Sequence, residues 1–95
     1  MISVVAGFSV KEGKEAECLE YVRKIVEETR KEKGCIMYEL CQSAKSANSF
    51  AFIEKWESQD ALNAHMETAH FKEYVPKIDS VTVDGVAINV YTVLV

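Results

Sequence analysis

From Ile2 to Val10 the chain places an apolar side chain at every second residue: Ile2, Val4, Ala6, Phe8 and Val10 alternate with Ser3, Val5, Gly7 and Ser9. A period of two marks a strand with one strongly apolar face. Lys11-Glu12-Gly13 makes the turn, and from Lys14 to about Lys33 the period becomes helical. Cys18, Tyr21, Val22 and Ile25 share one face, while Lys14, Glu17, Glu20, Lys24, Glu28 and Lys31 read as its solvated faces. Gly34 closes that helix as a C′ residue. Cys35 to Gln42 and Phe50 to Glu57 then read as an antiparallel strand pair across a small, polar hairpin loop. Ser58 has the chemistry of an N-cap for a helix from Gln59 to about Met66. Thr68 caps a second helix over Ala69 to Ile78, which Pro76 should kink or loosen. Asp84-Gly85 turns the chain into a last strand, Val86 to Leu94.

The order strand, helix, strand, strand, helices, strand predicts one α+β domain over residues 1–95. It is the ferredoxin-like split βαβ arrangement, a four-stranded antiparallel sheet with helices on one face. The other face is also apolar in places, through Val5, Val93 and whichever of the Ile36-Tyr38-Leu40 and Ala51-Ile53 sets points away from the helices. A lone sheet with such a face is a sticky patch, so sheet-to-sheet homodimerisation is expected.

Composition narrows the function classes. A net charge of −4, with Lys and Arg dispersed among Glu, gives no basic stripe for a phosphate backbone, which argues against nucleic-acid binding. The apolar run at the start breaks at Lys11, too early for a secretory core or a membrane span, so a cytoplasmic, non-membrane protein is the default expectation. Cys18, Cys35 and Cys41 are odd in number and lack metal-ligand spacing, as expected of reduced, packed thiols.

Candidate chemistry concentrates between Phe50 and Phe71. Phe52, Glu54 and Trp56 share one strand face, His65 follows on the next helix, and His70-Phe71 lies just beyond its end. Each has a packing explanation: strand aromatics are usually core, and a helix His beside apolar neighbours is usually a hydrogen-bonded packing residue. On the functional reading Trp56 lines an apolar cavity and stacks on a planar substrate, while Tyr38 offers a phenol from the neighbouring strand. Glu54, if inward, must be paired or hold its proton more tightly than usual. His65 and His70 are five apart, about 140° around a continuous helix, a poor chelating separation, so no metal site is expected.

Three fragments together resemble a known family. Val4-Val5-Ala6-x-Phe8-x-Val10-Lys11-x-Gly13-Lys14, then Gly34-Cys35-x-x-Tyr38-Glu39-Leu40, then Phe52-x-Glu54-x-Trp56-Glu57-Ser58-x-Asp60-Ala61-Leu62-x-x-His65-x-x-Thr68-x-His70-Phe71 look like the antibiotic biosynthesis monooxygenase domain, in order and spacing, over nearly the whole chain. The resemblance implies a dimeric α+β barrel whose small members oxidise quinols or polyketide anthrones with O₂, using neither metal nor flavin. It implies His65 or His70 as base, Trp56 against the substrate, Tyr38 orienting it, and Phe52, Glu54 and Phe71 in the pocket wall. Polyketide-type members carry an Asn where this chain has Phe52. Haem-degrading relatives rely on an Asn and a His where this chain has Ala6-Gly7 and Val75. The expected function is a cofactor-independent monooxygenase of a quinol or similar small aromatic. The alternatives are a dimer that binds a small hydrophobic ligand without chemistry, or an isomerase of a small carbonyl compound.

Overall fold

The computed structural model describes all 95 residues. It contains β1 (Ile2–Ser9), α1 (Glu15–Thr29), β2 (Cys35–Gln42), β3 (Ser49–Trp56), α2 (Gln59–Met66), α3 (Ala69–Ser80) and β4 (Ala87–Thr92). The strands form one antiparallel sheet in the order β2-β3-β1-β4, the ferredoxin-like α+β topology. No helix is long and apolar enough to cross a membrane.

Strand alternation sorts the side chains as expected. Ile2, Val4, Ala6 and Phe8 of β1 face the helices, opposite Trp56, Glu54, Phe52 and Phe50 of β3. Together with Cys18, Val22 and Ile25 of α1 and Ile78 of α3 they make the core. Ser58 accepts from Ala61 N at 3.1 Å, and Thr68 accepts from Phe71 N at 3.3 Å, so both caps form.

Several details differ from the sequence reading, among them β4, which runs Ala87–Thr92 rather than Val86 to Leu94. Helix α1 stops at Thr29, short of Lys33, and the chain leaves through turns in which Lys31 N bonds Glu28 O and Glu32 N bonds Thr29 O. Arg30 Nε donates to Tyr38 O at 3.1 Å, drawing this exit against β2. Helix α3 runs through Pro76 to Ser80, because Pro76 lies on the exposed face, where water can satisfy the carbonyl that the ring leaves unpaired. A β-bulge between Cys35 and Met37 breaks the alternation of β2: Ile36 is the extra residue and is exposed, whereas Tyr38 is buried.

The helices do not cover the whole sheet. Ile88 and Val90 of β4 lie on the helix side, paired with Ala6 and Val4, yet are 50% and 48% exposed. Val5, Tyr91 and Val93 add exposed apolar surface elsewhere on the sheet and its edge.

Gly34 fixes how β2 enters. Its φ of +90° lies in the left-handed region, and a Cβ there would come within 2.6 Å of Ala61 Cβ on α2. Gly13 has a similar φ of +83° but open space around it. Gly13→Ala should therefore lose only the backbone preference, about 1–2 kcal/mol, and Gly34→Ala at least about 2–3 kcal/mol, because α2 must also shift. Urea unfolding of the two variants tests this; equal losses would mean that the approach to Ala61 constrains nothing.

Candidate functional site

The turn after α1 delivers Glu32 to the corner between α2 and α3. There its Oε2 lies 2.7 Å from His65 Nδ1 and 2.7 Å from His70 Nε2. A carboxylate carries no proton to share, so both ring nitrogens donate to it. His65 thus holds its proton on Nδ1, leaving Nε2 as an acceptor. The expectation that the two histidines diverge fails because α2 ends at Met66 and α3 begins at Ala69, so no continuous helix carries both rings. Thr68 makes this corner: its hydroxyl donates to His65 O at 2.7 Å while accepting from Phe71 N. The donor atoms of Glu32, His65 and His70 all lie within 4.8 Å of one another, which removes the geometric argument against chelation.

His65 is 2% exposed and held on three sides. Its ring centroid is 4.6 Å from that of Trp56, 5.1 Å from Phe71 edge-on, and 5.5 Å from Tyr38. Thr29 Oγ1 is the one fully enclosed side-chain polar atom without a hydrogen bond. His65 Nε2 also has no partner, so it must retain some access, and His65 lines a cavity between sheet and helices.

That cavity measures about 40 Å³, and its wall is apolar apart from His65 and Glu54. This is room for a water or a diatomic gas, well short of the roughly 150 Å³ that holds a benzene ring. Val4, Ala6 and Phe52 form its floor, Met66, Phe71 and Val75 its helix side, and Ile88 its edge at β4.

Glu54 projects from β3 into this wall and accepts from Trp56 Nε1 at 2.9 Å. Burial pushes its carboxyl up to about 7, the indole hydrogen bond pulls the other way, and the charge of Glu32 adds to the rise. Burial lowers the His65 imidazole, opposed by its hydrogen bond and charge interaction with Glu32 and assisted by His70. Burial, with the charges of Glu54 and Glu32, pushes the Tyr38 phenol far up against a weaker opposing interaction with the nearby Thr29 hydroxyl, which falls outside good hydrogen-bond geometry, so Tyr38 can donate or accept but not serve as a base. The same low-polarity space thus brings an acid and a base toward one another's range.

Of the seven residues singled out in the sequence, Tyr38, Phe52, Glu54, His65 and Phe71 line the cavity. Trp56, fully buried, stands behind it, bonded to Glu54 and packed on His65. His70 sits on the far side of Glu32, its side chain 16% exposed. Glu32 escaped notice because on an unbroken α1 it would be one more acid on a solvated face. The signal that could have found it is Gly34, whose turn directs the preceding residues toward α2.

Comparison with known proteins agrees with this architecture. The family model described as "Antibiotic biosynthesis monooxygenase" matches residues 1–77. The chain belongs to the antibiotic biosynthesis monooxygenase family. "Putative monooxygenase YcnE" of Bacillus subtilis is 36% identical over 77 residues, covering 81% of each chain. "Probable quinol monooxygenase YgiN" of Escherichia coli is 34% identical, over 78% of this chain and 81% of its own. An uncharacterized Synechocystis protein, sll1783, is 34% identical over 95% of this chain, which spans only 62% of that relative's length. A conserved Methanosarcina mazei protein of known crystal structure superposes with a TM-score of 0.93 at 33% identity, over 95% of this chain and 89% of its own.

The Glu54 carboxyl of this family member gives a stability signature with a definite sign. Below about pH 4.5 it is protonated in folded and unfolded chains alike; as pH rises the unfolded chain loses its proton first, and stability falls until the folded carboxyl ionises near pH 7. The expected loss is about 3 kcal/mol across that window. His65 contributes oppositely, since its depressed imidazole adds stability as pH rises toward and past its ordinary 6.5. Urea unfolding of wild type and Glu54→Gln from pH 4 to 8 isolates the Glu54 part; parallel curves would exclude the raised carboxyl.

Proposed function

We propose that the chain is a homodimeric oxygenase that oxidises a quinol or similarly electron-rich small aromatic with O₂, His65 acting as base. The observation that carries this reading is the Glu32–His65 pair, which leaves Nε2 free on an apolar cavity also lined by Glu54. The matching family and the name of the Escherichia coli relative support the substrate class.

In the proposed reaction Nε2 takes a phenolic proton, and the hydrogen bond from Nδ1 to Glu32 stabilises the imidazolium that forms. The quinolate then gives an electron to O₂, and the two radicals combine at a ring carbon as a hydroperoxide. Loss of water converts that carbon to a carbonyl, with Glu54, raised to about 7, able to give the departing hydroxide its proton. One quinol and one O₂ yield one hydroxyquinone and one water, the quinol supplying all four electrons. The substrate is thus its own reductant, and the protein deprotonates, orients and excludes water. Tyr38 orients the ring, Phe52 and Phe71 flank it, and Trp56 holds Glu54 and His65 in place without touching substrate.

A ring exceeds the present cavity, so the wall must open. Met66 is the side chain most able to yield, having three rotatable bonds and a polarizable sulfur. The uncovered apolar edge at Ile88 and Val90 supports a second copy packing over the sheet and finishing the wall. Light scattering during size-exclusion chromatography should give twice the chain mass at micromolar concentration; a monomer would refute the dimer.

O₂ consumption with a hydroquinone panel in the presence of a chelator should be measurable, and His65→Ala should lower kcat by about 10²- to 10⁴-fold. Glu32→Gln should lose less, since the ring keeps a partner but the imidazolium loses its counter-charge. Binding without turnover of any panel member would favour the ligand-binding alternative, and proton exchange without O₂ uptake would favour an isomerase.

A further inference from the structure

Glu32, His65 and His70 are also the one place in the chain where three metal-ligating groups of mixed type converge. We propose that they bind a single divalent transition ion of the zinc type, through Glu32 Oε2, His65 Nδ1 and His70 Nε2. This goes beyond the oxygenase reading and does not depend on it.

The geometry needs an adjustment of side chains and none of the fold. Zinc holds N and O ligands at about 2.0–2.2 Å, which in a tetrahedron puts neighbouring donors roughly 3.4 Å apart. The carboxylate oxygen now lies 2.7 Å from each nitrogen, so it must draw back by about 0.7 Å, while the two nitrogens, up to 4.8 Å apart, must close by up to about 1.4 Å. His65 cannot move, being packed between Trp56, Phe71 and Tyr38. The retreat falls to Glu32, a flexible side chain on a turn, and the approach to His70 in the first turn of α3; these side chains are 13% and 16% exposed. The same partial exposure gives an ion a way in and leaves a fourth position for water. Meanwhile the Thr68 hydroxyl, bonded to His65 O, fixes the corner that sets the two rings at this separation.

The donor set selects the class of ion. Two imidazoles and one carboxylate suit zinc, cobalt, nickel or ferrous iron, whereas magnesium and calcium take oxygen ligands and would find a single one here. The ion's charge would be met by the Glu32 carboxylate, replacing two N–H donors that now satisfy that anion. There is a consequence for the neighbouring cavity. With an ion on Nδ1 the ring proton of His65 moves to Nε2, so ion binding and proton abstraction at that nitrogen exclude each other.

Co²⁺ is the probe, because its visible d–d absorption reports both coordination and occupancy. Tag-free protein, stripped with chelator and dialysed, is titrated with Co²⁺ and then challenged with Zn²⁺ or Mg²⁺. The expected result is saturation at one Co²⁺ per chain with the intensity of a four- or five-coordinate site, displaced by Zn²⁺ and unaffected by Mg²⁺. His70→Ala, at a partly exposed position, should keep the wild-type circular dichroism spectrum, with some loss of stability, and bind at least about a hundredfold more weakly, since losing even an outer partner of a ligand costs about ten- to a hundredfold. Glu32→Gln should do the same, and if it fails to fold, His70→Gln serves in its place. Absence of saturable binding, binding unchanged in His70→Ala, or a sulfur-to-cobalt charge-transfer band that puts the ion on Cys35 or Cys41 would each overturn the proposal. None of these readouts involves turnover, so a failed oxygenase assay leaves the metal question open to its own answer.

Discussion

One carboxylate oxygen, Glu32 Oε2, joins three segments that sequence keeps apart: the exit of α1, the last turn of α2 and the first turn of α3. A half-buried anion is costly unless its lone pairs are met, and here two imidazole N–H groups meet them at 2.7 Å. The dependence runs both ways. Without Glu32 the Nδ1 proton of His65 would lose its acceptor inside a nest of aromatic rings. Without the histidines the carboxylate would sit partly desolvated beside the charge of Glu54, which it already disturbs. Removing one partner is therefore more damaging than the strength of any single hydrogen bond suggests.

The second consequence of that contact lies across the cavity. Burial acts on Glu54 and His65 in opposite senses, raising the acid and lowering the base, because it disfavours the charged form of each. Two groups whose ordinary proton affinities differ by two units, 4.5 and 6.5, are drawn toward the same range. Burial thus narrows the gap in proton affinity between the group that takes a proton at one wall and the group that returns one at the other. Trp56 serves both groups, donating its indole N–H to Glu54 while its ring packs on His65. That gives its burial a purpose that neither core packing nor substrate stacking alone would supply.

Much of this was readable from the residues, and what was not has a common cause. The alternation of β1, the Ser58 and Thr68 caps and the strand order follow from local chemistry, and local chemistry is what sequence records directly. The failures occur where a local pattern is interrupted by a tertiary contact. Helix α1 has helix-favouring residues up to Lys33, but Arg30 finds the Tyr38 carbonyl and Gly34 must clear Ala61, so the helix ends at Thr29 and Glu32 leaves its expected face. Ile36 looked like a partner of Tyr38 and Leu40 until the bulge took it out of register. His65 and His70 looked divergent until Thr68 turned the chain between them.

The size of the domain bears on the remaining feature, a cavity too small for a ring beside an apolar edge too large to leave wet. A chain of 95 residues buries only about two thirds of its unfolded surface and cannot enclose a roomy cavity within its own core. Its helices cover β3 and β1 and run out before β4, which leaves Ile88 and Val90 half exposed next to the cavity that Ile88 lines. Covering that edge with a second chain would remove apolar surface from water and supply the missing wall together. A pocket shared in this way can be wider than either chain could afford alone. Its polar groups, Glu54 and His65, would still come from one protomer, where Trp56 and Glu32 fix them.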